Sequence, residues 1–226
     1  METTRSAIGE FIATFAVVLV AAGATITGGF GLDSTGIALA YGAAFAAVIA
    51  ATDGGRGQAN PAITIGLWVA GRIETFRGVV IVVAQVAGAV LAALLLRYVN
   101  PGTAFTAAAG GTPVVASGTA VGKAIVIEAV ATFLVVSVYF ATIVDTRALR
   151  RGLGPLWTGL MLIALVLVFG PYTGVAVNTA RWFGPALASA TWANWEVWLV
   201  GPISGAIIAS VVWTALFLHD DELVTP

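Results

Sequence analysis

The chain is predicted to be an all-α membrane protein built as an inverted repeat, with six transmembrane helices and two half-helices. Three observations lead there. Six apolar stretches, near residues 7–28, 36–52, 79–98, 122–144, 154–171 and 195–218, approach or exceed the span of about 20 residues that a bilayer core requires. Two further apolar runs, 61–70 and 179–190, are about half that length. At roughly 1.5 Å per residue the first makes a helix of about 15 Å, half the hydrocarbon thickness. Finally, one offset of 118 residues pairs Asn60-Pro61-Ala62 with Asn178-Thr179-Ala180, Glu10 with Glu128, Thr14 with Thr132, Phe15 with Phe133 and Gly66 with Gly184. Self-similarity at one period marks a structural unit used twice. In membrane folds of this kind the working site lies between the halves.

Composition agrees. Of 226 residues, 59% are hydrophobic and 9% charged, with a mean hydropathy of +1.00. A soluble domain carries about 25% charge, so most of this surface must meet the lipid bilayer or other helices. A net charge of −1 with no basic block argues against nucleic acid as a partner. The absence of cysteine excludes disulfides, thiolate chemistry and a cysteine metal site. The single histidine, His219, and few acids form no visible catalytic constellation, so no enzyme activity, metal or cofactor is expected.

In chain order, the first span follows an arginine and could be taken for a signal peptide. It contains Glu10, whose partner recurs at Glu128, so an uncleaved span is predicted. Residues 1–98 form the first repeat, with three spans and the half-helix 61–70. Residues 99–120, rich in Gly, Ala, Thr, Pro and Ser and free of charge, read as an extracellular connector. Asn100-Pro101-Gly102 within it lacks a partner at the common offset and reads as an ordinary turn, with no half-helix after it. Residues 121–218 form the second repeat, with the half-helix 179–190, and 219–226 a cytoplasmic tail. Arg5, Arg56, Arg72, Arg77, Arg147, Arg150 and Arg151 then fall on the N-terminal side, against Arg97, Lys123 and Arg181 opposite. The positive-inside rule puts both termini in the cytoplasm, and the plasma membrane is the expected location. Three spans per repeat force the second copy to enter from the opposite side, so the half-helices point away from one another.

Asparagine is a favoured N-cap, and proline at the next position presets helical φ. Asn60-Pro61 fits both statements; Asn178-Thr179 keeps the cap and gives up the proline. With each cap oxygen occupied, each amide NH₂ is free to point elsewhere, and two such donors meeting at the midplane, backed by positive helix ends, would welcome an oxygen lone pair. A lone Asn-Pro would simply start a helix; two copies at one offset argue for a site.

With these motifs in place, the chain resembles the aquaporins, the major intrinsic protein family of water and small-solute channels, over essentially its whole length. The resemblance rests on Gly9-Glu10-Phe11 with Thr14-Phe15, Asn60-Pro61-Ala62-Ile63-Thr64-Ile65-Gly66, Ala84-Gln85 with Gly88-Ala89, and Glu128 with Thr132-Phe133. Asn178-Thr179-Ala180-Arg181, Phe183-Gly184-Pro185-Ala186 and Val200-Gly201-Pro202 complete it. It implies an hourglass pore in each subunit, water and small neutral solutes as permeants, and a homotetramer.

By the same resemblance Arg181 belongs to an outer constriction with Tyr41, Val166 and Val175. Such an arginine is costly unless wet or paired; facing a pore it offers donors and repels cations, and the alternative is snorkelling to the interface. Water-selective relatives usually carry phenylalanine in place of Tyr41 and histidine in place of Val166. The filter should therefore be wider and more apolar than that of a strict water channel. Other markers are mixed: Trp182 stands where serine or aspartate is usual, Ala186 resembles the water group, and Leu199 the glycerol group. Gln58 replaces a histidine common in the family.

An intramembrane carboxylate is a functional candidate, so Glu10 and Glu128 could relay protons. The resemblance implies instead that each accepts N–H bonds from the loop before its half-helix, and the common 50-residue spacing to Asn60 and Asn178 supports that pairing. Gly42, Gly88, Gly159 and Gly205 suit close helix crossings or are merely tolerated. The tryptophans, Trp192, Trp195 and Trp198 among them, read as interfacial anchors or packing. The function expected is a passive channel for water and small uncharged solutes. A glycerol-type channel is the alternative, and an ion-coupled transporter the rival from another class.

Overall fold

The computed structural model describes residues 2–148 and 151–218; Arg150 and the tail 219–226 lie outside the described residues. Six helices there are long and apolar enough to cross a membrane. They are α1 (Glu2–Thr27), α2 (Ser34–Ala51), α4 (Thr75–Val99), α6 (Val121–Tyr139), α7 (Gly154–Thr173) and α9 (Trp195–Leu216). The half-length helices are α3 (Pro61–Val69) and α8 (Thr179–Ser189). A six-residue helix, α5 (Gly102–Ala107), completes the set. Large apolar side chains such as Ile12, Val83, Val126, Val168 and Val211 are exposed around the bundle, as lipid contact requires.

Two boundaries differ from expectation. A short helix does follow Asn100-Pro101, because Pro101 starts a helical turn that the Ala- and Thr-rich segment continues. Asn100 itself faces backward: its Nδ2 donates to the Leu96 carbonyl at 2.9 Å, closing α4 rather than opening α5. The fourth span is not uniform either. After Tyr139 it widens into a π-turn, Phe140–Val144, before the chain leaves the bundle at Asp145.

The packing repeats the sequence symmetry. α1 lies on α4 as α6 lies on α9, while α2 and α7, equivalent to each other, pack together on the pseudo-axis. Glycine permits the close crossings. A Cβ at Gly88 would meet the Phe11 carbonyl oxygen across α1·α4, and one at Gly205 the Ala129 carbonyl oxygen across α6·α9. The half-helices exchange partners: α3 beds chiefly on α9, and α8 chiefly on α4. The halves therefore interlock, and the loops that lead into α3 and α8 meet in the buried centre.

Candidate functional site

Asn60 and Asn178 cap their helices as short polar side chains do when an extended residue precedes a helical one. Asn60 (φ −158°, ψ 114°) accepts the N–H of Ala62 at 2.8 Å. Asn178 (φ −140°, ψ 108°) accepts those of Ala180 and Arg181 at 3.0 and 3.2 Å. Pro61 fills the first position of α3; Thr179 fills that of α8, and its buried hydroxyl has no partner.

Each amide nitrogen then crosses to the other half. Asn60 Nδ2 donates to the Val177 carbonyl at 3.0 Å, and Asn178 Nδ2 to the Ala59 carbonyl at 2.7 Å. Each NH₂ thus points away from its own helix start. One N–H of each is committed to the opposing loop, because a buried loop carbonyl at membrane depth needs a donor. The second N–H of each amide remains for another acceptor.

Backbone strain concentrates beside these residues. Ala59, Val175 and Val177 adopt φ of +50°, +39° and +46°, a region that costs a non-glycine residue on the order of 1–3 kcal/mol. Two buried carboxylates hold the loops in place. Glu10 accepts the N–H groups of Gln58 and Ala59, both at 2.7 Å, and the Gln85 amide at 2.6 Å. Glu128 accepts those of Ala176 and Val177 at 3.0 and 2.9 Å, and the Thr173 hydroxyl at 2.7 Å. Two tyrosines grip the carbonyl edges: Tyr41 donates to Ala176 and Tyr139 to Arg56, each at 2.6 Å. In the first loop Gln58 also accepts the Thr64 hydroxyl at 2.6 Å.

Tyr41, Val166 and Val175 belong to one buried apolar cluster. The Arg181 guanidinium carbon lies 5.7 Å from the Tyr41 ring centroid, within cation–π range. Arg181 is only 3% exposed. Its Nη1 donates to the Gly111 carbonyl at 2.7 Å and its Nη2 to the Thr25 hydroxyl at 3.3 Å, while Nε is buried without a partner. Trp182, next in the chain, turns away to stack on Trp198 at 6.3 Å between centroids, so these two pack in the core. Trp157, Trp192 and Trp195 are exposed.

Sequence reasoning passed over Thr25, Gly111, Thr173 and Tyr139. Thr25, a polar side chain inside the apolar stretch 7–28, carried a usable signal; Thr173, just past the stretch 154–171, and Gly111, in the connector, carried none.

A family model described as major intrinsic protein matches residues 1–213. The chain belongs to the major intrinsic protein family. Among curated relatives, Aquaporin TIP4-4 of Zea mays is 38% identical over 95% of this chain and 87% of its own. Probable aquaporin TIP4-2 of Oryza sativa subsp. japonica is 41% identical over 96% of this chain and 87% of its own. The solved aquaglyceroporin from Plasmodium falciparum superposes with a TM-score of 0.84 over 95% of this chain and 96% of that one. Its 22% identity speaks to the fold alone. This major intrinsic protein is thus a multi-pass aquaporin-family channel for water and small solutes.

Proposed function

We propose that the chain passively conducts water and small uncharged solutes along one path through each subunit, between the mouth at Arg56 and Gln58 and the rim at Arg181. The crossed asparagine bonds carry this reading. They bring two helix N-termini, with their positive ends, to one point and leave one amide N–H on Asn60 and one on Asn178. A passing water accepts from both, and the same fields reject cations and break a proton-conducting chain of waters. In this reading Asn60, Pro61, Ala62, Asn178, Thr179 and Ala180 form the central motif. Glu10 and Glu128 support the loops. Tyr41, Val166, Val175 and Arg181 form the filter.

Val166 and Val175 offer the filter no hydrogen-bonding side chain, which favours a second permeant class, glycerol or another small neutral solute. Swelling of proteoliposomes in water, glycerol, urea and ammonia, read by light scattering, tests both readings. Water flux at the level of empty liposomes refutes the first; water flux without any solute flux refutes the second. Flux that is linear in concentration and indifferent to a proton gradient separates a channel from a coupled transporter.

The repeats are proposed to be 1–98 and 121–218, joined by an extracellular connector at 99–120. The arginine count supports cytoplasmic termini. The proposed membrane is the plasma membrane, although the curated relatives carry the TIP designation, and fractionation decides between membranes. A homotetramer is the proposed assembly, to be weighed in detergent by light scattering.

A further inference from the structure

We propose that Thr25 is a positioning residue that sets the aperture at Arg181, an inference that rests on the pore reading above. The two terminal nitrogens of Arg181 have separate anchors, Gly111 for Nη1 at 2.7 Å and Thr25 for Nη2 at 3.3 Å. Thr25 stands in the last turn of α1 and donates its own proton to the Ala21 carbonyl at 2.9 Å. That bond fixes the hydroxyl rotor, so a lone pair faces the guanidinium. Ala22, on the same turn, packs under Gly111, whose φ of +77° and tight fit leave no room for a Cβ. The end of α1 therefore governs both anchors, one directly and one through the connector. Nε has no protein partner. The guanidinium is fastened at its two terminal nitrogens, with Nε buried and the Tyr41 ring centroid 5.7 Å from its central carbon.

The consequence has a direction. Without the Thr25 oxygen, a charged N–H is left buried with no acceptor, a larger penalty than for a neutral group. Pore water is the acceptor still open to it, so Arg181 swings toward the axis and narrows the path. Thr25 is part-buried and borders a surface cavity of about 460 Å³ with Ile26, Phe30, Pro101 and Thr103. An isosteric valine there meets little resistance to folding.

The test is stopped-flow water permeability of reconstituted wild type, Thr25→Val, Thr25→Ser, Arg181→Val and the Thr25→Val/Arg181→Val pair. Thr25→Val should lower water permeability about threefold to tenfold, the population shift that loss of one long hydrogen bond of ordinary net strength produces. Thr25→Ser, which keeps the hydroxyl, should restore it. In the Arg181→Val background Thr25→Val should change nothing, since the group it positions is gone. Equal permeability of Thr25→Val and wild type overturns the proposal. So does an equal fall in both backgrounds, which marks a merely structural role. If the valine variant does not reconstitute, Thr25→Ala takes its place with the same expectations. A wild type that passes no water sinks the pore reading itself.

Discussion

Asn60 and Asn178 each donate an amide N–H to the carbonyl just before the other, at 3.0 Å to Val177 and 2.7 Å to Ala59. The two helix starts are thereby cross-linked, and each asparagine serves as cap, clamp and donor at once. Asn178→Asp keeps the capping oxygen, loses the bond to Ala59 and adds negative charge beside two positive helix ends. Cation rejection should weaken, with a loss of about 1 kcal/mol of stability from the missing bond. Sodium leak into liposomes is the measurement, and a leak unchanged from wild type counts against the pore assignment.

Arg181→Val removes the fixed charge and its bonds to Gly111 and Thr25. Glycerol permeability should rise about tenfold, equivalent to lowering a barrier by roughly 1.4 kcal/mol. Isosmotic glycerol swelling reads this directly; an unaltered solute range would place the constriction elsewhere.

Glu10→Gln and Glu128→Gln put an NH₂ where a loop N–H now donates. Two donors would then face one another in a buried site, with the left-handed Ala59 or Val177 no longer held. A cost of about 3 kcal/mol is expected, seen as lower yield and an earlier thermal transition in detergent. Normal yield and stability with altered permeation would point instead to a proton-handling role.

Gly205→Ala places a methyl on the Ala129 carbonyl oxygen. Separating α6 from α9 should cost about 1–3 kcal/mol, and thermal unfolding in detergent measures it. An unshifted transition would mean that the crossing relaxes freely.

Much of the architecture was legible because membrane spans obey a length rule and the repeat obeys one offset. The half-helices Pro61–Val69 and Thr179–Ser189 start at the capping asparagines and end within one residue of the apolar runs. The exchange of amide bonds between halves was not legible, since hydrogen-bond partners 117 and 119 residues apart leave no local pattern. Gly111 was hidden for a different reason. In a connector of Gly, Ala and Thr, one carbonyl looks like any other until Arg181 is seen against it. Tyr139 likewise reads as one more aromatic in an apolar span, and only the fold turns its hydroxyl toward Arg56.

The interlocking of α3 with α9 has a bearing on how the molecule is made. The first re-entrant segment leaves the ribosome long before the helix it rests on, so it must wait, incompletely supported, until the last span is inserted. A chain halted before Trp195 should therefore leave residues 61–69 open to protease, whereas the finished one shields them. Biogenesis of this channel ends where its beginning is finally locked in.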